Sequence, residues 1–120
     1  MKKLIFVFAL LSTGVFAQSA DYICNVRNYR LDLHLRQDRS THFWLTDTMN
    51  HYTVSHGYPG SIERAGDKVK YLFYPGNASP VMMMFNYQDT IDLPAKLPMY
   101  IETKAGGFLL WEKMVCSRRS

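Results

Sequence analysis

The 120-residue chain has little of what marks an enzyme or a nucleic-acid binder. It has no glycine-rich phosphate loop, no nucleophile elbow, and no cysteine or histidine spacing of the kind that builds a zinc site. Each missing motif removes its class: nucleotide-dependent transfer, elbow-type hydrolysis, structural zinc. No cofactor is implied and no catalytic residue can be nominated. Beyond the first 17 residues no segment sustains a helical period of 3.6, which points away from helical folds. Cysteine is scarce, with only Cys24 and Cys116. So is any excess of charge, with 14 Lys and Arg against 10 Asp and Glu.

What is present begins with a leader. Met1-Lys2-Lys3 is a short basic start, residues 4–11 are apolar, and Val15-Phe16-Ala17 suits a signal peptidase. The apolar run is far short of the about 20 residues that a spanning helix needs. The expectation is a signal peptide over 1–17 and one domain over 18–120, with no transmembrane segment once the leader is removed. No cysteine follows the small-residue box, so a lipid anchor is not expected. Cleavage takes Lys2 and Lys3 away and lowers the formal +4 by two. The pI of about 9.1 therefore overstates the basicity of the working molecule. Nothing in this balance argues for nucleic acid or anionic lipid.

Two cysteines in an exported chain read as one structural disulfide, and export means the bacterial periplasm or the extracellular space. Cys24 lies in the first strand-like segment and Cys116 at the end of the last. A bond between them would close the chain on itself.

The segments between are short, β-branched and aromatic, and alternate with turn residues. Residues 22–27 carry Cys24 and Val26 on one face. Residues 29–36 are the clearest strand: Leu31, Leu33 and Leu35 face one way, and Arg30, Asp32, His34 and Arg36 the other. The inward parity changes between these two strands, so a bulge or tight turn at Asn28 is expected. Strands follow at 41–46 and 51–56, then a hairpin over 61–74 turning at Gly66, with Val69, Tyr71 and Phe73 inward. Residues 81–87 are an apolar run, 90–93 a short extended piece, and 99–104 pairs with 108–116. Pro94 and Pro98 argue against a central strand where they stand. In the last strand Leu109 and Trp111 favour one parity and Met114 and Cys116 the other, so a bulge near Glu112-Lys113 is expected. The sum is an all-β domain, a small antiparallel β-barrel or sandwich of about eight to ten strands closed by one disulfide.

The residue types suited to chemistry each have an ordinary explanation. His51 and His56 fall at opposite parity on one expected strand and point to opposite faces. His34 and His42 lie on adjoining strands and can approach, with Asp32 or Asp38 nearby, but they read more simply as surface histidines. Met82-Met83-Met84 offers thioethers for a soft ion such as Cu(I), with Trp44, Trp111 and His56 available elsewhere. Methionine filling an irregular core explains the same run, so no metal ligand is nominated.

Tyr-Pro-Gly occurs twice, as Tyr58-Pro59-Gly60 and Tyr74-Pro75-Gly76. Pro then Gly suits the centre of a type II turn. The two bracket the 61–74 hairpin and so should meet at its open end. Tyr58 and Tyr74, with His56 just before the first and Asn77 just after the second, form the candidate binding rim. With Tyr22-Ile23-Cys24 in the first strand and a second cysteine near the end, the chain resembles the periplasmic inhibitors of C-type lysozyme in cysteine placement, size and all-β pattern. Their Ser- and Gly-containing inhibitory loop has no counterpart here, so no functional residue is carried over. The expectation is a monomeric binding or inhibitor module for a protein or glycan partner, an envelope polymer among them. A carrier of a small apolar ligand or soft metal comes second, and a hydrolase third.

Overall fold

The computed structural model describes residues 19–76, 79–105 and 108–119, and for residues 105 and 108–111 the backbone alone. Nine strands follow one another: β1 (Ser19–Val26), β2 (Tyr29–Arg36), β3 (His42–Asp47), β4 (Tyr52–Gly57), β5 (Pro59–Ala65), β6 (Lys68–Phe73), β7 (Val81–Asn86), β8 (Lys96–Ala105) and β9 (Phe108–Arg118). One helix among the described residues, α1 (Tyr87–Asp92), separates β7 from β8. All pairings are antiparallel, in the order β4-β3-β2-β1-β9-β8-β7-β6-β5. The result is an all-β, nearly closed barrel. Its seam lies between β4 and β5, which are joined through Tyr58 and share no ladder among the described residues.

Strict alternation builds the interior. Tyr22 and Cys24 on β1, Leu31, Leu33 and Leu35 on β2, and Val69, Tyr71 and Phe73 on β6 are all buried. Met83 and Phe85 on β7, with Leu97 and Ile101 on β8, complete the packing. Phe43 meets Phe73 edge-on at 4.8 Å, and Tyr71 meets Phe85 likewise at 5.4 Å. Large side chains therefore fill the barrel. Between β1 and β2 the chain turns in two residues, with Arg27 at φ 53. That conformation is usually left to glycine in tight hairpins. The Arg27 guanidinium reaches Glu112 on β9 at 2.6 Å, tying the turn to the closing strand.

Cys24 and Cys116 are disulfide-bonded with Cα atoms 4.4 Å apart. β1 and β9 pair through Tyr22↔Arg118 and Ile23↔Ser117, so the bond continues this ladder by one step. The terminal strands are hydrogen-bonded to each other and then cross-linked.

Four expectations are corrected. Residues 87–92 form a helix, not an extended piece. Asn86 donates its side-chain amide to Asp89 at 3.2 Å, and the helix stops at Leu93, φ 50, just before Pro94. Six residues are too few to show a period in the sequence. Pro98 does lie within a strand, β8, but the ladder to β7 ends at Tyr100, so Pro98 is paired on the β9 side alone. A proline is tolerated there because one side asks no N–H of it. The β8–β9 register runs without a shift from Lys96↔Ser117 to Ala105↔Phe108, so β9 has no bulge opposite β8. Finally, Pro59 and Gly60 open β5, with a register shift between Pro59 and Ser61, instead of forming a turn.

Candidate functional site

One concavity of the outer surface lies at the seam. A groove of about 410 Å³ opens between the end of β4 and the Tyr74-Pro75-Gly76 segment. Trp44, His56, Tyr58 and Tyr74 line it together with the buried Phe43. His42, Gly57, Pro75 and Gly76 complete the lining.

Cross-strand register explains why these side chains meet. On β3, Phe43 and Leu45 point inward, which leaves His42 and Trp44 outside. Trp44 is paired with His56 on β4, and the two rings stack at 4.3 Å with planes 14° apart. His42 is paired with His34 on β2, and those rings also stack at 4.3 Å and 14°. The Tyr58 ring lies 5.1 Å from that of His42. Tyr74 rests on Gly60: a Cβ there would stand 2.7 Å from its ring. The glycine of the first Tyr-Pro-Gly thus makes room for the tyrosine of the second. Trp44, Tyr58 and Tyr74 are 42%, 62% and 63% exposed, so each offers a ring face to solvent while its other side is supported.

Among the described residues the lining carries no Lys, Arg, Asp or Glu. Charge begins one row away. Asp21 accepts a hydrogen bond from His34 Nδ1 at 2.7 Å, and Arg30 is paired with Asp32 at 3.0 Å. A groove of this kind can stack planar or C–H-rich faces and hydrogen-bond through imidazole, phenol and indole N–H groups.

Of the four residues nominated for the rim, His56, Tyr58 and Tyr74 line this one groove; Asn77 lies outside the described residues. Trp44 and His42 belong with them and were not nominated. The signal for Trp44 was available, since a tryptophan between inward Phe43 and Leu45 must face outward. His51 lies in the turn ahead of β4, at φ 56, and is not on a strand with His56. The partner of His34 is Asp21, not Asp32 or Asp38. The thioethers are elsewhere. Met82 and Met84 lie half-buried on the outer face of β7 and line other grooves, Met84 with Tyr100 and Pro98, while Met83 is fully buried. The described residues contain no cluster of three or more His, Cys, Asp or Glu able to hold a metal. Nor is a serine hydroxyl hydrogen-bonded to the Asp21–His34 pair among them. No described helix is long and apolar enough to cross a membrane.

Compared with known proteins, the chain matches no family model, no curated protein and no solved structure.

Proposed function

We propose that the protein is a binding module of the exported space, with residues 1–17 removed as a signal peptide, and that the seam groove holds a segment of an uncharged glycan from an envelope polymer. The observation that carries this reading is the groove itself: three exposed, supported aromatic rings around a concavity with no formal charge in its lining. Pyranose rings present C–H faces that pack on such rings, and their hydroxyls meet the imidazole and phenol groups between them. The disulfide fits a non-reducing compartment. The filled interior leaves the outer surface as the place where a ligand is held.

A titration of the protein with neutral oligosaccharides released from envelope polymer, followed by calorimetry, tests this. Trp44→Ala, Tyr58→Ala and Tyr74→Ala should each weaken binding about two- to tenfold, the equivalent of about 0.5–1.5 kcal/mol per lost ring contact. Their melting temperatures should stay close to that of the parent, because all three rings lie outside the core. Saturable binding that ignores all three substitutions would place the site elsewhere. An affinity for a protein from the same envelope fraction, weakened by the same substitutions, would make the groove a protein-docking site instead.

A further inference from the structure

A second concavity lies where β7 and β8 part. Their ladder runs only from Met82↔Glu102 to Met84↔Tyr100. Beyond it β7 gives way to α1, while β8 is paired through Met99 and Pro98 with β9 alone. A groove of about 400 Å³ opens at this gap, a volume in the range of small-molecule sites. Met84, Met99 and Met114 line it, with the buried Phe85. The three methionines come from neighbouring strands, and Met99 and Met114 are direct cross-strand partners. Thioether side chains are unbranched and polarizable, so they shape themselves to a flexible apolar body. They take the place here of the exposed rings at the seam.

The charge around this groove is one-sided. Lys68 and Lys113 line it, and among the described residues no Asp or Glu does. In the strand order β9-β8-β7-β6 the two lysines stand on the outer pair of strands, with the gap between them. Lys68 Nζ donates to Asn86 Oδ1 at 2.6 Å, and an ammonium has three N–H groups, so donors remain for a ligand. Neither lysine is in an ion pair among the described residues. Two acids are bonded to lining residues, Asp89 to Asn86 at 3.2 Å and Glu102 to Tyr100 at 3.4 Å, but neither belongs to the lining. We propose that this groove binds a single-chain amphipathic anion, an alkyl carboxylate of the fatty-acid type. Its chain lies against the three methionines and its carboxylate in the positive field of Lys68 and Lys113. The inference is independent of what the seam groove binds.

The test uses untagged full-length protein, with decanoate and its neutral counterpart decanol as probes. Calorimetry should show one decanoate per chain with a Kd below about 1 mM, and decanol several-fold weaker. Added salt should weaken decanoate binding and leave decanol nearly unchanged. Lys68→Gln and Lys113→Gln should each lower decanoate affinity about two- to fivefold, and the double variant should no longer tell the two probes apart. Lys104→Gln, in the lining of another groove, should change little. Met84→Ser, at a half-buried outer position, should weaken both probes. The methyl resonances of Met84, Met99 and Met114 should shift on binding while that of the exposed Met49 stays. The far-ultraviolet spectrum of each variant establishes that it is folded. No saturable decanoate binding up to about 1 mM, equal affinity of the parent for both probes, or decanoate affinity unchanged in the folded double lysine variant would overturn the assignment. So would retention by phosphatidylglycerol vesicles without binding of monomeric decanoate, which would make this face a membrane-docking surface.

Discussion

Removing the Cys24–Cys116 bond in the double variant Cys24→Ala/Cys116→Ala probes the barrel's closure most directly. The bond spans 92 residues, nearly the whole described domain. In the chain-entropy relation a loop of that length restrains the denatured chain by about 4–5 kcal/mol at 25 °C. Both residues are also buried, at 1% and 0% exposure, so truncating them leaves a small void that adds roughly 1 kcal/mol. The expected loss is about 5–6 kcal/mol. A domain of this size is stable by about 5–15 kcal/mol, so the variant should sit at or near the edge of folding. Urea titrations followed by tryptophan fluorescence measure the loss. The slope with denaturant should rise, because a chain freed of its cross-link exposes more surface when unfolded. The melting temperature should drop by at least about 20 °C, at about 4–8 °C per kcal/mol. If stability falls by less than 1 kcal/mol and the slope is unchanged, the β1–β9 ladder is sufficient alone and the entropic argument fails here.

Three further outcomes are expected. Leu33→Ala, at a position 1% exposed in the centre of β2, should cost about 2–5 kcal/mol in the same titration; under half a kilocalorie would contradict its place in the core. Gly60→Ala should push the Tyr74 ring off its seat and weaken glycan binding while leaving the unfolding midpoint nearly unchanged, as calorimetry and urea titration would show. Burial pushes the Tyr71 phenol up to about 12, and its hydroxyl donates to the Arg36 carbonyl at 2.8 Å, a bond that also favours the protonated form. The folded state therefore holds this proton after the unfolded chain has lost it near pH 10. Stability from this group is complete below pH 10 and declines as pH rises towards 12. Absorbance at 295 nm should show a late tyrosine step, and Tyr71→Phe should remove one tyrosine from it, the buried Tyr22 being raised as well.

The sequence reveals the parts of this fold that depend on alternation and on chain ends. β2 and β6 are legible because Leu31, Leu33 and Leu35, or Val69, Tyr71 and Phe73, leave only one face to bury. The terminal cysteines define which strands close the barrel. What alternation does not carry is harder to read. α1 is held by the Asn86–Asp89 bond and by Tyr87 N–H donating to the Asp67 carbonyl at 2.8 Å, a contact between segments distant in the chain. Pro98 is acceptable only because β7 stops short of it, and that depends on strand lengths. The expected β9 bulge came from assigning faces by apolarity alone, whereas the backbone pairing with β8 runs unshifted through Glu112 and Lys113.

The groove shows the same division more sharply. Tyr58 and Tyr74 stand in repeated tripeptides that flank one hairpin, so their meeting follows from linear order. Trp44 and His42 join them through the β2–β3–β4 register, and register is a property of pairing. The seam also bears on why the proposed site uses side chains and not backbone. β4 and β5 are the two ends of the sheet, and an unpaired strand edge ordinarily invites another strand to add to it. Here both edges are blunted. β4 is bulged where Thr46 pairs with Thr53 and Leu45 with Ser55, and β5 opens on Pro59 with a shift before Ser61. An added strand would meet a broken ladder on either side. The chain protects its open edges and, a few residues away, exposes Trp44, Tyr58 and Tyr74 around a concave surface. The open edges of the barrel are thus blunted within a few residues of the proposed binding groove.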